Sequence, residues 1–577
     1  ERRPGPERPP RHAPKTARAK SCKTGGGMNL KRQNPAFLSG VLSILLSQLF
    51  VKLMGLLYRL VITNIDGFGD VGNGFYTAGF QLYTLLLAIS SVGIPSAVSR
   101  LVSVEAAGGN LAGADRIFQA ALGLFTGIGL ACSAGLFFGA DWIAVLVIRM
   151  DGVQDTLRAL SPSVTFVCIS SVIRGYFLGL GDVRATGRSQ MLEQVFKSVL
   201  TVVFVLALTS CSASVMSAGA NFATTAATAA SAVYLMGYSL RRRPARAAAA
   251  RRGRGRGTRG SCAALCRTIW KVSFPISLGS IITGIGRVID TATITRGIQA
   301  AFAGGIPGRS GLPTAAELNA EAVRLAGMLS KSDSILTLPL ALNIAFATVL
   351  VPAISSALAV GRRREAEETI TLSLLISVLL AFPCAAGLIV LAGPIYQMIY
   401  PNAPMGYQLL QISALGMFFS ALGQTINGSL QGMGRVGVPA RALFCGVAAK
   451  VALNHLLIRI PSVNIFGAAV GSLVCYLTSS GISFCHLKKE LALPLTARRY
   501  VWKPLLCTGG MSAVAAAVYP LLLRCLHSNT LSILLTIGLS AAVYLALVLA
   551  AGILTRRDVA QFPISGRLRK WLLKLVA

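Results

Sequence analysis

Charged side chains interrupt several long apolar stretches of this sequence, and they are the residues most able to do chemistry there. An ionised side chain is costly inside a bilayer and usually faces a cavity or a partner. Because cations outnumber acids, the set favours an anionic ligand over a cationic one. Its members are Lys52, Arg59, Arg174, Lys197, Arg287 and Lys450, with Glu193 and Asp290 as the acids.

Lys52 and Arg59 are seven positions apart, so they lie two turns apart on one face of a predicted helix. Gly55 between them leaves room for a ligand or a neighbouring helix. Both side chains are therefore candidate contacts for an anion. The alternative for each is a long side chain that reaches the membrane interface and anchors the helix.

Two pairs of charged positions leave two interpretations open. Arg287 and Asp290 are three residues apart and could form a local ion pair or face a cavity. Lys450 has no acidic residue one turn away, which makes it a candidate for the cavity. The same choice between local pairing and a cavity applies to the acid and the cation at positions 193 and 197.

Motifs for catalysis are missing from the sequence. It contains no G-x-x-x-x-G-K-[ST], no H-E-x-x-H and no D-x-D or D-D-x-x-D cluster. The 12 cysteines are scattered, and Cys262 and Cys266 have no neighbouring histidine to complete a metal site. We therefore predict a protein that is not an enzyme, with no catalytic residue, no metal and no cofactor.

Composition indicates which elements position the charged residues. Of the 577 residues, 54% are hydrophobic and 13% are charged, whereas soluble domains carry about 25% charged residues. Apolar runs of about 20 residues recur, so we predict an all-α polytopic membrane protein of about 14 transmembrane helices. These span residues 36–60, 74–99, 117–140, 160–180, 189–210, 217–239, 268–290, 333–358, 369–392, 406–432, 439–458, 464–485, 502–523 and 530–554.

The net charge of +35 is distributed unevenly over the loops. We assign about 40 Lys and Arg residues to segments on one side, about 8 to the other and about 7 to the membrane. This asymmetry predicts a multi-pass protein of the cytoplasmic membrane with both termini in the cytoplasm, and an attraction to anionic membrane lipids. No RNA-binding motif with interleaved aromatic residues supports nucleic-acid binding.

An internal repeat organises the predicted helices into two lobes. The segment GYFLGLGDVRATGRSQMLEQVFKSVL from Gly175 returns as GSLQGMGRVGVPARALFCGVAAKVAL from Gly428. Since each half has six helices, the two six-helix lobes form a parallel repeat, and two C-terminal helices are added. The predicted segments are a basic disordered tail (1–35), N-lobe (36–240), basic linker (241–267), C-lobe (268–486), the two added helices (487–555) and a basic tail (556–577). We expect Met28 to be the natural start.

Three stretches resemble a known family: residues 52–103, RGYFLGLGD from Arg174, and ILTLPLALNIAFATVLVPAISSALAVG from Ile335. They are similar to the stage V sporulation protein B group of polysaccharide biosynthesis proteins. That group is similar to lipid II flippases of the multidrug/oligosaccharidyl-lipid/polysaccharide exporter superfamily. Arg100 and Arg296 match basic positions of the family pattern, whereas Arg287 departs from it.

The resemblance implies a flippase for a polyprenyl pyrophosphate-linked saccharide such as a peptidoglycan precursor, working by alternating access, with cell-wall synthesis proteins as partners. Three alternatives are weighed against it. A multidrug or cation exporter of the same superfamily should have an acidic cavity, and an integral-membrane glycosyl or lipid transferase should have an acidic cluster. A membrane scaffold would not need charges inside its helices.

Overall fold

The computed structural model describes residues 50–88, 93–252, 262–307, 311–359, 361–491, 495–555 and 558. Over these residues the chain is helical and contains no β-strand, which confirms the predicted all-α class. Nine of the described helices are long and apolar enough to cross a membrane. The protein is therefore a multi-pass membrane protein, while the number of 14 spans remains a prediction.

The first half of the chain forms eight helices. A short helix α5 continues directly into a π-helical turn, and both follow α4. The bounds are α1 (50–63), α2 (Gly69–Ala88), α3 (Ile94–Ala107), α4 (Leu111–Phe138), α5 (Ala140–Trp142), the π-turn (Ile143–Ile148), α6 (Val153–Gly179), α7 (Val183–Ala207) and α8 (Ala213–Arg252).

The second half repeats this order and adds two helices that follow a second π-helical turn, Arg498–Trp502. The bounds are α9 (Cys262–Phe302), α10 (Ala315–Ala359), α11 (Arg363–Val390), α12 (Ala392–Ile399), α13 (Tyr407–Gly432), α14 (Gly437–Leu457), α15 (Ile465–Glu490), α16 (Lys503–Leu526) and α17 (Asn529–Ala550). We call the end of the bundle with the α3–α4, α6–α7, α10–α11 and α13–α14 turns the basic end, and the other the opposite end.

Equivalent turns follow the two copies of the repeated segment. Gly181 ends the turn after α6 at φ +81°, and Gly434 ends the turn after α13 at φ +80°. Both amides close the same kind of turn, bonding to Leu178 and Gln431 at 3.0 Å each. A left-handed residue after a helix favours glycine, so the repeated G-x-G encodes two matching helix ends.

The predicted linker 241–267 is helical over the residues that the structure describes. Helix α8 continues to Arg252, and α9 already begins at Cys262. Alanine and arginine, which dominate RRRPARAAAARR, are strong helix formers. Hydropathy marks only the apolar part of a helix, and α10 likewise begins at Ala315, well before the predicted start at residue 333.

Helix α9 packs against both lobes. Near its start, Ile269 belongs to the apolar cluster that contains Phe118 of α4. Near its end, Ile298 packs in a cluster with Ile458 and Ile465 of the second lobe. The polar residues in the middle of α9 consequently lie where the two lobes meet.

Candidate functional site between the lobes

Helices α2 and α10 bring the two lobes into close contact towards the opposite end. A Cβ atom added to Gly327 of α10 would overlap with the backbone oxygen of Asp70 of α2. One added to Gly74 of α2 would overlap with the backbone oxygen of Val323 of α10. Small residues at both positions therefore permit direct backbone contact between the helices.

A buried ion pair reinforces this contact. The Lys331 ammonium lies 2.6 Å from an Asp70 carboxylate oxygen, and the Lys331 side chain is fully buried. It also donates hydrogen bonds to the carbonyl oxygens of Ala403, at 2.6 Å, and Met405, at 3.1 Å. Three polar partners thus compensate for burying this cation.

Arg59 of α1 lies beside the same contact and binds both lobes. Its guanidinium donates to Thr77 Oγ1 of α2 at 2.8 Å and to Ser334 Oγ of α10 at 2.8 Å. It also lies over the ring of Tyr76, 5.0 Å from the centroid. Arg59 is therefore directed into the protein between the lobes, which does not fit the alternative of a headgroup anchor.

Lys52, on the same helix, is exposed and forms no hydrogen bond or ion pair with any described residue. It lies close enough to Arg287 of α9 and Lys197 of α7 for electrostatic repulsion. The Lys197 ammonium itself lies over the ring of Phe80, 4.4 Å from the centroid. Cations from three helices and both halves of the chain are thus gathered in one region.

Asp290 forms its ion pair with a residue of another helix, and not with Arg287 on its own helix. Its carboxylate lies 2.6 Å from the Lys450 ammonium of α14 and accepts a hydrogen bond of 2.8 Å from the Asn454 amide. Among the described residues Asp290 forms no ion pair with Arg287, which stays exposed three positions earlier. The pattern of residues on one helix could not reveal a partner on another.

Asp333 of α10 is an acid that the sequence analysis missed. Its side chain is exposed and interacts electrostatically with Lys450, Asp290, Arg59 and Arg287, which come from three other helices. Asp333 and Arg287 are exposed, whereas Arg59 and Lys450 are half-buried, so these charges line one partly accessible space. We call this space the cationic cavity and define it by Lys52, Arg59, Arg287, Asp333 and Lys450.

Comparisons with known proteins assign the chain to a family. A family model described as "Polysaccharide biosynthesis protein" matches residues 37–358, which is more than half of the chain. The chain belongs to this family. A second family model, described as "Lipid II flippase MurJ", matches residues 322–556.

Two relatives of this polysaccharide biosynthesis family member come from Bacillus subtilis (strain 168). Stage V sporulation protein B is 22% identical over 539 residues, covering 92% of this chain and 98% of the relative. Lipid II flippase MurJ is 22% identical over 476 residues, covering 78% of this chain and 82% of the relative. The resemblance to these proteins is therefore confirmed.

Solved structures show the same fold. A structure titled "Lipid II flippase MurJ, inward closed conformation" has a TM-score of 0.63 at 15% identity, covering 87% of this chain and 97% of that one. An inward-facing multidrug resistance MATE transporter of the MOP superfamily has a TM-score of 0.62 at 14% identity, with 78% and 98% covered. The family member thus has the fold of polytopic transporters.

Within this family member, the local pair of Glu193 with Lys197 is not what the structure shows. Glu193 instead lies 2.6 Å from the guanidinium of Arg174, on α6. Arg174 also donates hydrogen bonds of 2.9 Å to Ser189 and Ser231. This ion pair joins three helices of the first lobe and neutralises two of the eight predicted charges.

Two predicted site residues lie apart from the cationic cavity. Arg296 donates hydrogen bonds to the carbonyl oxygens of Leu146, at 2.8 Å, and Val147, at 3.4 Å, and so ties α9 to the π-turn of the first lobe. Arg100 is exposed on α3, and no described residue forms an ion pair with it. The structure therefore brings together five of the seven predicted site residues: Lys52, Arg59, Arg287, Asp290 and Lys450.

Sequence reasoning missed Lys331 and Asp333 because apolar character starts after them. The predicted helix starts at residue 333, in the middle of the polar stretch SKSDS, whereas the structure includes the whole stretch in the 45-residue helix α10. A signal for helix was present in the preceding segment, which is rich in Ala, Glu and Leu. Among the described residues, no group of three or more His, Cys, Asp or Glu side chains could hold a metal ion.

Proposed function

We propose that this protein is a flippase that moves a polyprenyl pyrophosphate-linked saccharide across the cytoplasmic membrane. The observation that carries the proposal is the cationic cavity, to which α1, α9, α10 and α14 contribute Lys52, Arg59, Arg287, Asp333 and Lys450. A pyrophosphate has several anionic oxygens at short spacing, and cations in a region of low dielectric attract it strongly.

The location of the cavity suits a lipid-linked anion. Cations from both lobes can contact one pyrophosphate, while the polyprenyl tail stays in the bilayer beside the helices. When both lobes hold the cargo, binding and release of the cargo are coupled to the movement of one lobe relative to the other. Alternating access requires this coupling. Membership of the polysaccharide biosynthesis family and the similarity to a protein named lipid II flippase support this substrate class.

A multidrug exporter is the second transporter class that shares this fold. An exporter of cations needs an accessible carboxylate in its cavity. Asp290 does not meet this need, because its oxygens already bind Lys450 and Asn454. Asp333 is an accessible carboxylate, but it lies among more cations than acids. The balance of cations over acids around Asp333 favours an anionic cargo instead.

Orientation and energy source are part of the proposal. The basic end and both termini face the cytoplasm by the positive-inside rule. The contacts of α2 with α10 then close the external side, with the Asp70–Lys331 pair as their polar component. Because no nucleotide motif is present, transport draws on membrane potential, gradients or consumption of the cargo.

Complementation of a bacterial strain that lacks its lipid II flippase tests the proposal in cells. We expect the wild-type chain to restore growth, and Lys52→Gln to fail at normal membrane expression. Arg364→Gln, at an exposed position on α11, is the matched control and should complement fully. Failure of the wild-type chain at normal expression would contradict the proposed function.

A further inference from the structure

Asp333 differs from three other acids inside the helix bundle, because no cation of the described residues lies within ion-pair distance of it. Asp70, Glu193 and Asp290 each lie 2.6 Å from the nitrogen of a Lys or Arg side chain. Among the described residues, no cation forms an ion pair with Asp333, although its side chain is exposed in a cavity with several of them.

The residues next to Asp333 fix its backbone position but do not neutralise the charge of its carboxylate. Its helix neighbours Ser332 and Ser334 are buried and bonded, the first to Tyr396 at 2.6 Å and the second to Arg59 at 2.8 Å. The Asp333 side chain is therefore presented to the cavity by a fixed backbone. The charged and titratable groups that interact with it are Arg59 of α1, Arg287 and Asp290 of α9, Lys450 of α14, Tyr476 of α15 and Tyr396 of α12.

We propose that Asp333 is a resident counter-ion that competes with the pyrophosphate of the cargo for the cavity cations. When the cavity is empty, its carboxylate offsets the mutual repulsion of Arg59, Arg287 and Lys450. When the cargo binds, the same carboxylate repels the pyrophosphate and limits its affinity. The residue consequently favours release of the cargo after movement. This inference rests on the proposed function.

If Asp333 competes with the cargo, removing its charge should strengthen cargo binding and slow cargo transport. Asp333→Asn removes one negative charge while keeping the shape of the side chain. The variant should bind a pyrophosphate lipid about tenfold more tightly, because the like-charge repulsion is lost. Its maximal flipping rate should fall, since release of a tightly held cargo becomes limiting. A merely structural role would lower the rate and leave binding unchanged or weaker.

The experiment uses the full chain in nanodiscs and proteoliposomes. Binding of farnesyl pyrophosphate is titrated calorimetrically, with farnesol as the neutral probe, and lipid II flipping is measured in parallel. Asp333→Ser serves as a second neutral variant, and Asp333→Glu should behave as wild type. Asp141→Asn, which removes an acid from an exposed ion pair with Arg158, should change neither quantity.

The results for the neutral variants test the counter-ion role, and the results for the wild type test the proposed function. Tighter binding with slower flipping in both neutral variants supports the counter-ion, provided that farnesol binding does not change. Unchanged or weaker binding of farnesyl pyrophosphate by folded Asp333→Asn and Asp333→Ser overturns it. If wild type itself neither binds farnesyl pyrophosphate nor flips lipid II, the proposed function fails, which is a distinct result.

Discussion

The ammonium of Lys331 on α10 lies 2.6 Å from a carboxylate oxygen of Asp70 on α2, so a buried ion pair joins the two lobes. Its position next to the direct backbone contact at Gly327 concentrates the lobe contact in one small area. Asp70 takes part in both contacts, so we expect a change at either one to affect the other.

Lys331→Met should destabilise the protein by about 3–5 kcal/mol, since it leaves Asp70 unpaired at a buried interface. The double variant Asp70→Asn/Lys331→Met should recover part of this loss. The free energy of unfolding, measured with denaturant in detergent micelles, checks both. Arg158→Met, in the exposed pair with Asp141, is the control and should cost less than about 1 kcal/mol. Strictly additive losses in the double variant would argue against coupling.

Gly327→Ala should force the lobes apart near the opposite end, because its Cβ overlaps with the backbone oxygen of Asp70. Spin labels at Ser212 and Ser462, both exposed in turns of that end, should report a longer distance in a cysteine-free background. Gly123→Ala on α4 has open space around its Cβ and should leave the distance unchanged. An unchanged distance in Gly327→Ala would contradict the lobe contact.

Lys450→Gln should lower thermal stability, because Asp290 then loses the ammonium 2.6 Å away. Asp290→Asn/Lys450→Gln should be more stable than Lys450→Gln alone, since neither charge is left unpaired. Arg287→Gln serves as the comparison and should not lower stability. A loss in Arg287→Gln as large as in Lys450→Gln would indicate that Asp290 depends on the local arginine instead.

The periodic features of the fold were predictable from the sequence, and the pairings across helices were not. The G-x-G motifs at Gly179 and Gly432 predicted matching halves because they encode local turns. Asp290 shows the limit, since its partner Lys450 comes from a helix 160 positions later. The spacing along α9 suggested Arg287 as a partner of Asp290. The pair of Asp290 with Lys450 forms only because α9 packs against α14.

Native cysteines provide a test of the proposed orientation. Cys211 and Cys525 are exposed near the opposite end, in the α7–α8 turn and in the last turn of α16. In single-cysteine variants of intact cells, each should react with a membrane-impermeant maleimide. A cysteine introduced at Arg364, near the basic end, should react only after the membrane is opened. Labelling of position 364 in intact cells would reverse the orientation.

Flipping of lipid II by the purified chain in proteoliposomes tests the central claim most directly. Without ATP, the wild-type protein should move lipid II much faster than a neutral polyprenyl-linked sugar. Lys52→Gln should lose most of this activity while keeping its thermal stability, because Lys52 is an exposed cavity cation that makes no hydrogen bond among the described residues. Equal rates for the charged and the neutral lipid, or full activity of Lys52→Gln, would contradict a cationic cavity that recognises pyrophosphate.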